Sequence, residues 1–510
     1  MTNNIDSAYK LLLAKFKDVI VLSTTEGVIH WDMETFMPPK AVAQRSEQLA
    51  LLSRIHHQLA TQPEIGKLIT AIKKSPEYQK FGQVEKRNLY LIEKNYKEQT
   101  SLPEKLVSDL AMQEALTVNI WKKAKLQKDY NLFKTDLQKL LDLSKQMAEI
   151  LKEVKQTNTP YEALIDNFEP KISAQRITET FNQLLGGLKP LIAKIEDAQT
   201  DPLTKSINFS VPVENQRVIA QLITQKLGYD TASALACGRV DETEHPFTTG
   251  YCDDVRITTH YYPNNFASSI FSVLHETGHA LYEKNINRKW QYQPVGSTCS
   301  FGIHESQSRF YENIIGRSKE FWTSFLPDIK LAAPSLVNLE LDQFLHTINK
   351  VQRSKIRIEA DEVTYNLHII IRFEIERDLF AEKIKVNELP DVWNQKYADY
   401  LDVKAENDSE GVMQDTHWAS GLFGYFPSYA LGNIYSGQIA AAITKELPQW
   451  QTQLADGKLE GVNGWLRNNI HEKGDLYNPE ELIRRVTGES LNSEPYLQYL
   501  NKKYGTLYGF

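Results

Sequence analysis

A chain of 510 residues, 41% hydrophobic and 24% charged, has the material for a large buried core, and this composition excludes wholesale disorder. The 58 basic and 65 acidic side chains leave a formal charge of −7, so there is no basic footprint for nucleic acid. No apolar run approaches the ~18 residues of a membrane span, and the three scattered cysteines, Cys237, Cys252 and Cys299, exclude a disulfide framework or a thiolate metal site.

In chain order, Met1–Lys17 is polar and amphipathic, without the apolar centre of a secretory leader; with the cysteine usage this points to a reducing cytoplasm. Helical periodicity then dominates up to about residue 230. Ser101-Leu-Pro-Glu104 has the form of a capping box, followed at helical spacing by Leu106, Leu110, Ala111 and Val118. Leu137, Leu140, Leu141, Met147 and Leu151 mark a further amphipathic helix. Turn signals fall at Asn158–Pro160, Gly186-Gly187 and Asp201-Pro202. No repeat or low-complexity linker divides the chain. One catalytic domain over 1–510 is therefore expected, with a mostly helical lobe over about 1–240 and the chemistry in about 241–510.

The character changes near residue 245, because eight of the twelve histidines lie between His245 and His417 and histidine is the commonest metal ligand. Asp254–Tyr261 alternates as a strand, with Asp254, Arg256, Thr258 and His260 on one face and Val255, Ile257 and Tyr261 on the other. Helix resumes from about Ala267. The segment Tyr429–Leu447 is apolar but interrupted by Asn433, Ser436, Gln438 and Lys445, which makes it a buried helix and not a membrane span.

The run His275-Glu-Thr-Gly-His279 carries the sharpest chemistry. On a helix, positions four apart share a face, so both imidazoles reach one metal, while Glu276 stands beside it as a general base. Zinc would acidify a water and polarise the scissile carbonyl. A catalytic zinc takes three protein ligands and leaves one position open. Glu305, in His304-Glu-Ser-Gln-Ser-Arg309, is the candidate third ligand, and His304 competes, pointing about 100° away on a helix. The bland alternative makes Glu305 only an ion-pair partner of Arg309 one turn on.

These residues belong to an ordered series. It comprises Trp31-Asp-Met-Glu-Thr-Phe-Met-Pro38, His245-Pro-Phe247, Asp254-Val-Arg-Ile-Thr258, the His275–His279 motif, His304-Glu-Ser-Gln307, Ile356-Arg-Ile-Glu-Ala-Asp361 and Gly411-Val-Met-Gln-Asp-Thr-His-Trp418. In this series the sequence resembles the carboxypeptidase Taq family. The resemblance implies a mainly α, bundle-like peptidase fold with a deep central groove and a small β-sheet beside the metal, similar to angiotensin-converting enzyme and neurolysin. It also implies a homodimer, and one Zn2+ or Co2+ ion per chain held by His275, His279 and Glu305. The activity it implies is removal of single residues from peptide C-termini with broad side-chain tolerance, C-terminal proline being disfavoured.

Such an enzyme must recognise a free carboxylate, for which a fixed guanidinium is suited. Arg357, expected on a helix with Asp361 one turn on, competes for this task with Arg256, which shares a strand face with Asp254 and Thr258. That strand could also pair with the substrate backbone as an added edge. His417 and Tyr429 are candidate donors to the oxyanion of the intermediate, with Tyr425 as a competing hydroxyl. The glycines after Trp418, Gly421 and Gly424, suggest a segment that closes over substrate. His245, held extended by Pro246, is a candidate groove residue. The competing functions are an oligopeptidase or dipeptidase of related fold, and a metal-bound but inactive scaffold.

Overall fold

In the helix Lys134–Lys155, Leu137, Leu140, Leu141, Ala148 and Leu151 form one buried stripe, following the spacing in the sequence. The same logic builds most of the computed structural model, which describes residues 5–198 and 210–510. The helices Ile5–Thr35, Pro63–Lys74 and Gln83–Ser101 close a small core of their own around Leu12, Phe16, Ile65, Ile69, Leu89 and Ile92. A much larger core runs from Ala124 to Tyr504 and takes in the elements that carry the site.

Two local expectations are corrected. Ser101 does not open a capping box: its hydroxyl donates back to the Glu98 carbonyl and the residue ends its helix, while Pro103 precedes the next one, Glu104–Gln127. Proline forces Leu102 into extended backbone, so helix restarts only after it. Gly186-Gly187 is no turn but lies inside the helix Ala174–Ala198, whose Leu184, Leu188, Leu191 and Ile192 are buried. That burial outweighs the roughly 1 kcal/mol each glycine costs a helix. The turn at Asn158–Pro160 is present, with Thr159 capping the helix Pro160–Ile165; Asp201-Pro202 lies outside the described residues.

The small sheet has three strands, β1 (Gly238–Glu242), β2 (Thr248–Tyr251) and β3 (Asp254–Thr259), in the order β1-β3-β2. β3 pairs in parallel with β1 and antiparallel with β2. It stops at Thr259, short of Tyr261, because its partner β1 ends there at Glu242. As the central strand it has both edges taken, so it offers no free edge to a substrate.

Three helices frame the site: Phe266–Lys284, Phe301–Arg309 and Pro427–Glu446. The last is buried on nearly every side, as its apolar sequence implies. The middle one is capped by the Ser300 hydroxyl, which accepts from the Ile303 N–H, and it runs into a π-helical turn, Phe310–Ile315. It is clasped between its neighbours at two glycines. A Cβ on Gly278 would lie 2.5 Å from the Gln307 carbonyl oxygen, and one on Gly432 would lie 2.6 Å from Glu305 Cγ. Only hydrogen fits at either contact. Gly278→Ala should therefore cost about 1–3 kcal/mol of stability and draw Glu305 away from the two histidines. Thermal melting and bound-metal analysis check this; a wild-type melt with full metal content would refute it.

Candidate metal centre and active site

His275 and His279 sit one turn apart on Phe266–Lys284, and Glu305 faces them from the clasped helix. Glu305 Oε2 lies 3.6 Å from His275 Nε2 and 3.5 Å from His279 Nε2. Ligands bound at ~2.0 Å around a tetrahedral centre stand about 3.3 Å apart, so the spacing fits a divalent ion. The donor chemistry, two imidazoles and a carboxylate, fits as well; among the described residues these three form a metal-competent group.

The Arg309 contact weighed as an alternative exists alongside this arrangement. Arg309 Nε donates to Glu305 Oε1 at 2.7 Å, while Oε2, which also accepts from the Ser308 hydroxyl at 3.1 Å, faces the histidines. Its Nη1 donates to Glu312 Oε2 at 3.1 Å, and that oxygen also lies 2.8 Å from His275 Nδ1. Burial alone would raise both glutamates, yet Arg309 and His275 hold Glu305 well below the usual carboxylate range and bring Glu312 down to about 2. Burial, with His304 and His275 nearby, pushes His279 down to about 3, the neutral form that binds metals. His275 is drawn up instead, because Glu305, Glu312 and Glu276 together overcome its burial. Three carboxylates around two imidazoles make an anionic setting that a cation neutralises.

Glu276 is buried beside His275, and burial pushes its carboxyl up, against the opposing pull of His275 and of a hydrogen bond from Thr248. The Thr248 hydroxyl reaches Glu276 Oε2 at 2.6 Å from β2. Nothing in the sequence marked Thr248, because β2 is only four residues long.

Opposite lies a cleft of about 800 Å³ whose walls include His275, Glu276, Glu305, Arg357, Tyr365 and Tyr429. Arg357 does not stand on a regular α-helix and does not pair with Asp361. It begins a single 3₁₀ turn, Arg357–Glu359, and donates through Nε and Nη2 to Asp415 Oδ1 at 3.0 and 2.8 Å. Asp361 accepts from the backbone N–H groups of Gln352, Val363 and Thr364, which fixes the chain on either side of the 3₁₀ turn and not the guanidinium. Asp415 also holds Arg372, at 2.6 Å, so this buried cluster has two cations for one anion. Arg357 Nη1 donates to the Tyr365 hydroxyl at 3.0 Å, and the Arg309 guanidinium lies over the Tyr365 ring at 4.4 Å. Tyr365 thus joins the metal side of the cleft to Arg357.

His417 Nε2 lies 3.2 Å from the Tyr429 hydroxyl, and burial, outweighing Asp415, pushes this histidine down to about 4. Tyr425 and Tyr429 have ring centres 5.2 Å apart; burial raises Tyr429 and lifts Tyr425 to about 12, so both keep their protons. The segment around Gly421 and Gly424, expected to close over substrate, is fastened instead. Buried Glu376 accepts from the Trp418 indole, the Gly424 N–H and the Tyr161 hydroxyl, each at 2.8 Å.

The structure does not bring the other named residues into this cleft. Arg256 is committed to Asp254 at 2.7 and 2.8 Å and lies over the Trp31 ring at 4.2 Å, tying the first helix to the sheet. Thr258 is fully buried and binds the Phe247 backbone, shaping the turn that puts Pro246 on the cleft wall. His245 itself is exposed beside that turn.

Two imidazoles and a carboxylate fit for a divalent ion, a buried carboxylate beside them and a buried guanidinium on the cleft wall are the outfit of a metallopeptidase. The family model of the carboxypeptidase Taq (M32) metallopeptidases matches residues 11–504, and the chain belongs to that family. It is 38% identical to thermostable carboxypeptidase 1 of Thermus thermophilus, over 99% of both chains. It is 37% identical to carboxypeptidase 1 of Bacillus subtilis, over 95% of this chain and 96% of that one. The solved M32 carboxypeptidase of Deinococcus radiodurans R1 superposes with a TM-score of 0.92 at 33% identity, over 99% of this chain and 100% of the other. The protein is a metallocarboxypeptidase acting on peptides. Among the described residues no helix is long and apolar enough to cross a membrane.

Thr248→Val keeps the volume of the side chain but frees the Glu276 carboxylate. Metal content should stay at wild type while kcat falls about tenfold, part of the 10²–10⁴ that positioned proton transfer contributes. An unchanged kcat would show that Glu276 needs no help from β2.

Proposed function

We propose that this chain is a zinc carboxypeptidase that releases single residues from the free C-terminus of peptides, with broad side-chain tolerance and C-terminal proline disfavoured. His275, His279 and Glu305 hold one ion per chain, Zn2+ or alternatively Co2+. The enzyme works as a homodimer in the cytoplasm; the dimer, the compartment and the discrimination against proline rest on the family resemblance and the cysteine usage.

The observation that carries the reading is Arg357, a buried guanidinium on the wall of the cleft that holds the metal-competent triad. Arg357 shares its one contacting carboxylate, Asp415, with Arg372, so it is only partly neutralised by direct contact, and an incoming anion stabilises such a buried charge. The terminal carboxylate of a peptide supplies that anion and fixes the last peptide bond over the metal side of the cleft. When bound, the ion polarises the scissile carbonyl and lowers the pKa of a water. Glu276, held by Thr248, takes a proton from the attacking water and delivers it to the departing amine nitrogen. Tyr429, in contact with His417, donates to the oxygen of the tetrahedral intermediate, with Tyr425 next to it as a second hydroxyl.

On an unblocked peptide the products should form a ladder shortened one residue at a time, and the amidated peptide should resist; a single internal fragment would instead mark an oligopeptidase. Glu276→Gln should retain zinc and lose about 10²–10⁴ in kcat, which metal analysis and steady-state kinetics together resolve. Arg357→Ala should raise KM sharply for free C-termini, and equal damage from Arg256→Ala would transfer the carboxylate role to the sheet.

A further inference from the structure

The two metal-competent histidines are supported differently. His275 Nδ1 meets a carboxylate directly, at 2.8 Å from Glu312 Oε2. His279 Nδ1 meets another imidazole: His304 Nδ1 stands within hydrogen-bonding distance, with ring centres 4.4 Å apart. The far nitrogen of His304, Nε2, lies 2.9 Å from Glu283 Oε1. Glu283 is on the same helix as His279 and one turn further on, so the pair is bridged by a ring from the neighbouring helix.

We infer that His304 is a positioning residue that sets the tautomer of His279, with Glu283 fixing His304 in turn. The inference rests on His279 binding metal through Nε2. A carboxylate oxygen accepts, so the 2.9 Å contact takes a hydrogen from His304 Nε2, and the relay is complete when His304 Nδ1 carries the lone pair. That lone pair accepts from His279 Nδ1–H. The His279 lone pair is then on Nε2, which faces Glu305 Oε2 at 3.5 Å. Each hydrogen in the relay has one place to be, and the ring held in this way presents a metal with an available donor.

The interposed ring also separates charge. Glu276, Glu305 and Glu312 already crowd the centre, and a fourth carboxylate touching His279 would add repulsion there. His304 passes on the orienting effect of Glu283 while keeping its charge one ring away. The Tyr282 ring, 5.5 Å from His304 on centres, packs against the relay.

The test is zinc affinity of the metal-free protein, measured by chelator competition for wild type, His304→Phe and His304→Asn. Phenylalanine keeps the ring and loses both nitrogens; asparagine returns an acceptor where Nδ1 lies. His304→Phe should bind zinc about 10- to 100-fold more weakly with its melting temperature little changed, and His304→Asn should recover most of the loss. Unaltered affinity in His304→Phe overturns the inference, and so does His304→Asn as weak as His304→Phe, since packing alone would then explain the defect. Should His304→Phe not fold, Glu283→Met carries the test, because it removes the acceptor while keeping the side chain's length: weaker zinc binding supports the relay and wild-type affinity overturns it. A wild-type protein that binds no zinc would instead defeat the metal reading itself.

Discussion

The close approach of three helices at Gly278 and Gly432 is the constraint on which the centre depends. Two imidazoles one turn apart come almost free with any helix; a carboxylate from a separate helix does not. Its helix must lie near enough for a short side chain to reach across, and a methyl group at either contact would meet backbone or Glu305 itself. Packing therefore comes before chemistry here. The buried faces of Phe266–Lys284 and Pro427–Glu446 press on the helix between them until the glycines touch it, and Glu305 is then already in place.

Around that contact the charges are arranged in alternation. Arg309 lies between Glu305 and Glu312, and Asp415 lies between Arg357 and Arg372. Buried ion pairs of this sort add little net stability, because desolvation consumes most of the attraction. What they provide is position: each charged group is held by buried partners from other parts of the chain, and none can rotate away without exposing an unpaired charge. Tyr365, in contact with both Arg309 and Arg357, makes the two arrays one network.

Much of this was legible in the residues, and what was not has definite physical causes. The His275–His279 spacing is local, and a local motif on a strongly apolar helix survives into the fold. The buried Pro427–Glu446 helix was readable for the same reason. Glu312 left a trace, since Glu305, Arg309 and Glu312 form a stripe at helical spacing, although the π turn between them left none. Thr248 was invisible because a four-residue edge strand has no period to detect. Arg357 was expected to pair with Asp361 one turn on, but the chain makes only a single 3₁₀ turn there, and the actual partner, Asp415, is remote in sequence. The glycines near 421 and 424 suggested mobility; the clamp on Glu376 comes from distant side chains that no linear pattern displays.

The two-to-one ratio of guanidinium to carboxylate around Asp415 reaches beyond peptides. A half-neutralised cation on a cleft wall attracts any small anion that fits, whatever its origin. Acetate, citrate and the amino acid just released all carry the group that this wall attracts. If Arg357 receives the terminal carboxylate as proposed, assay buffers built from carboxylic acids compete with the substrate there, and accumulating product slows turnover through the same charge.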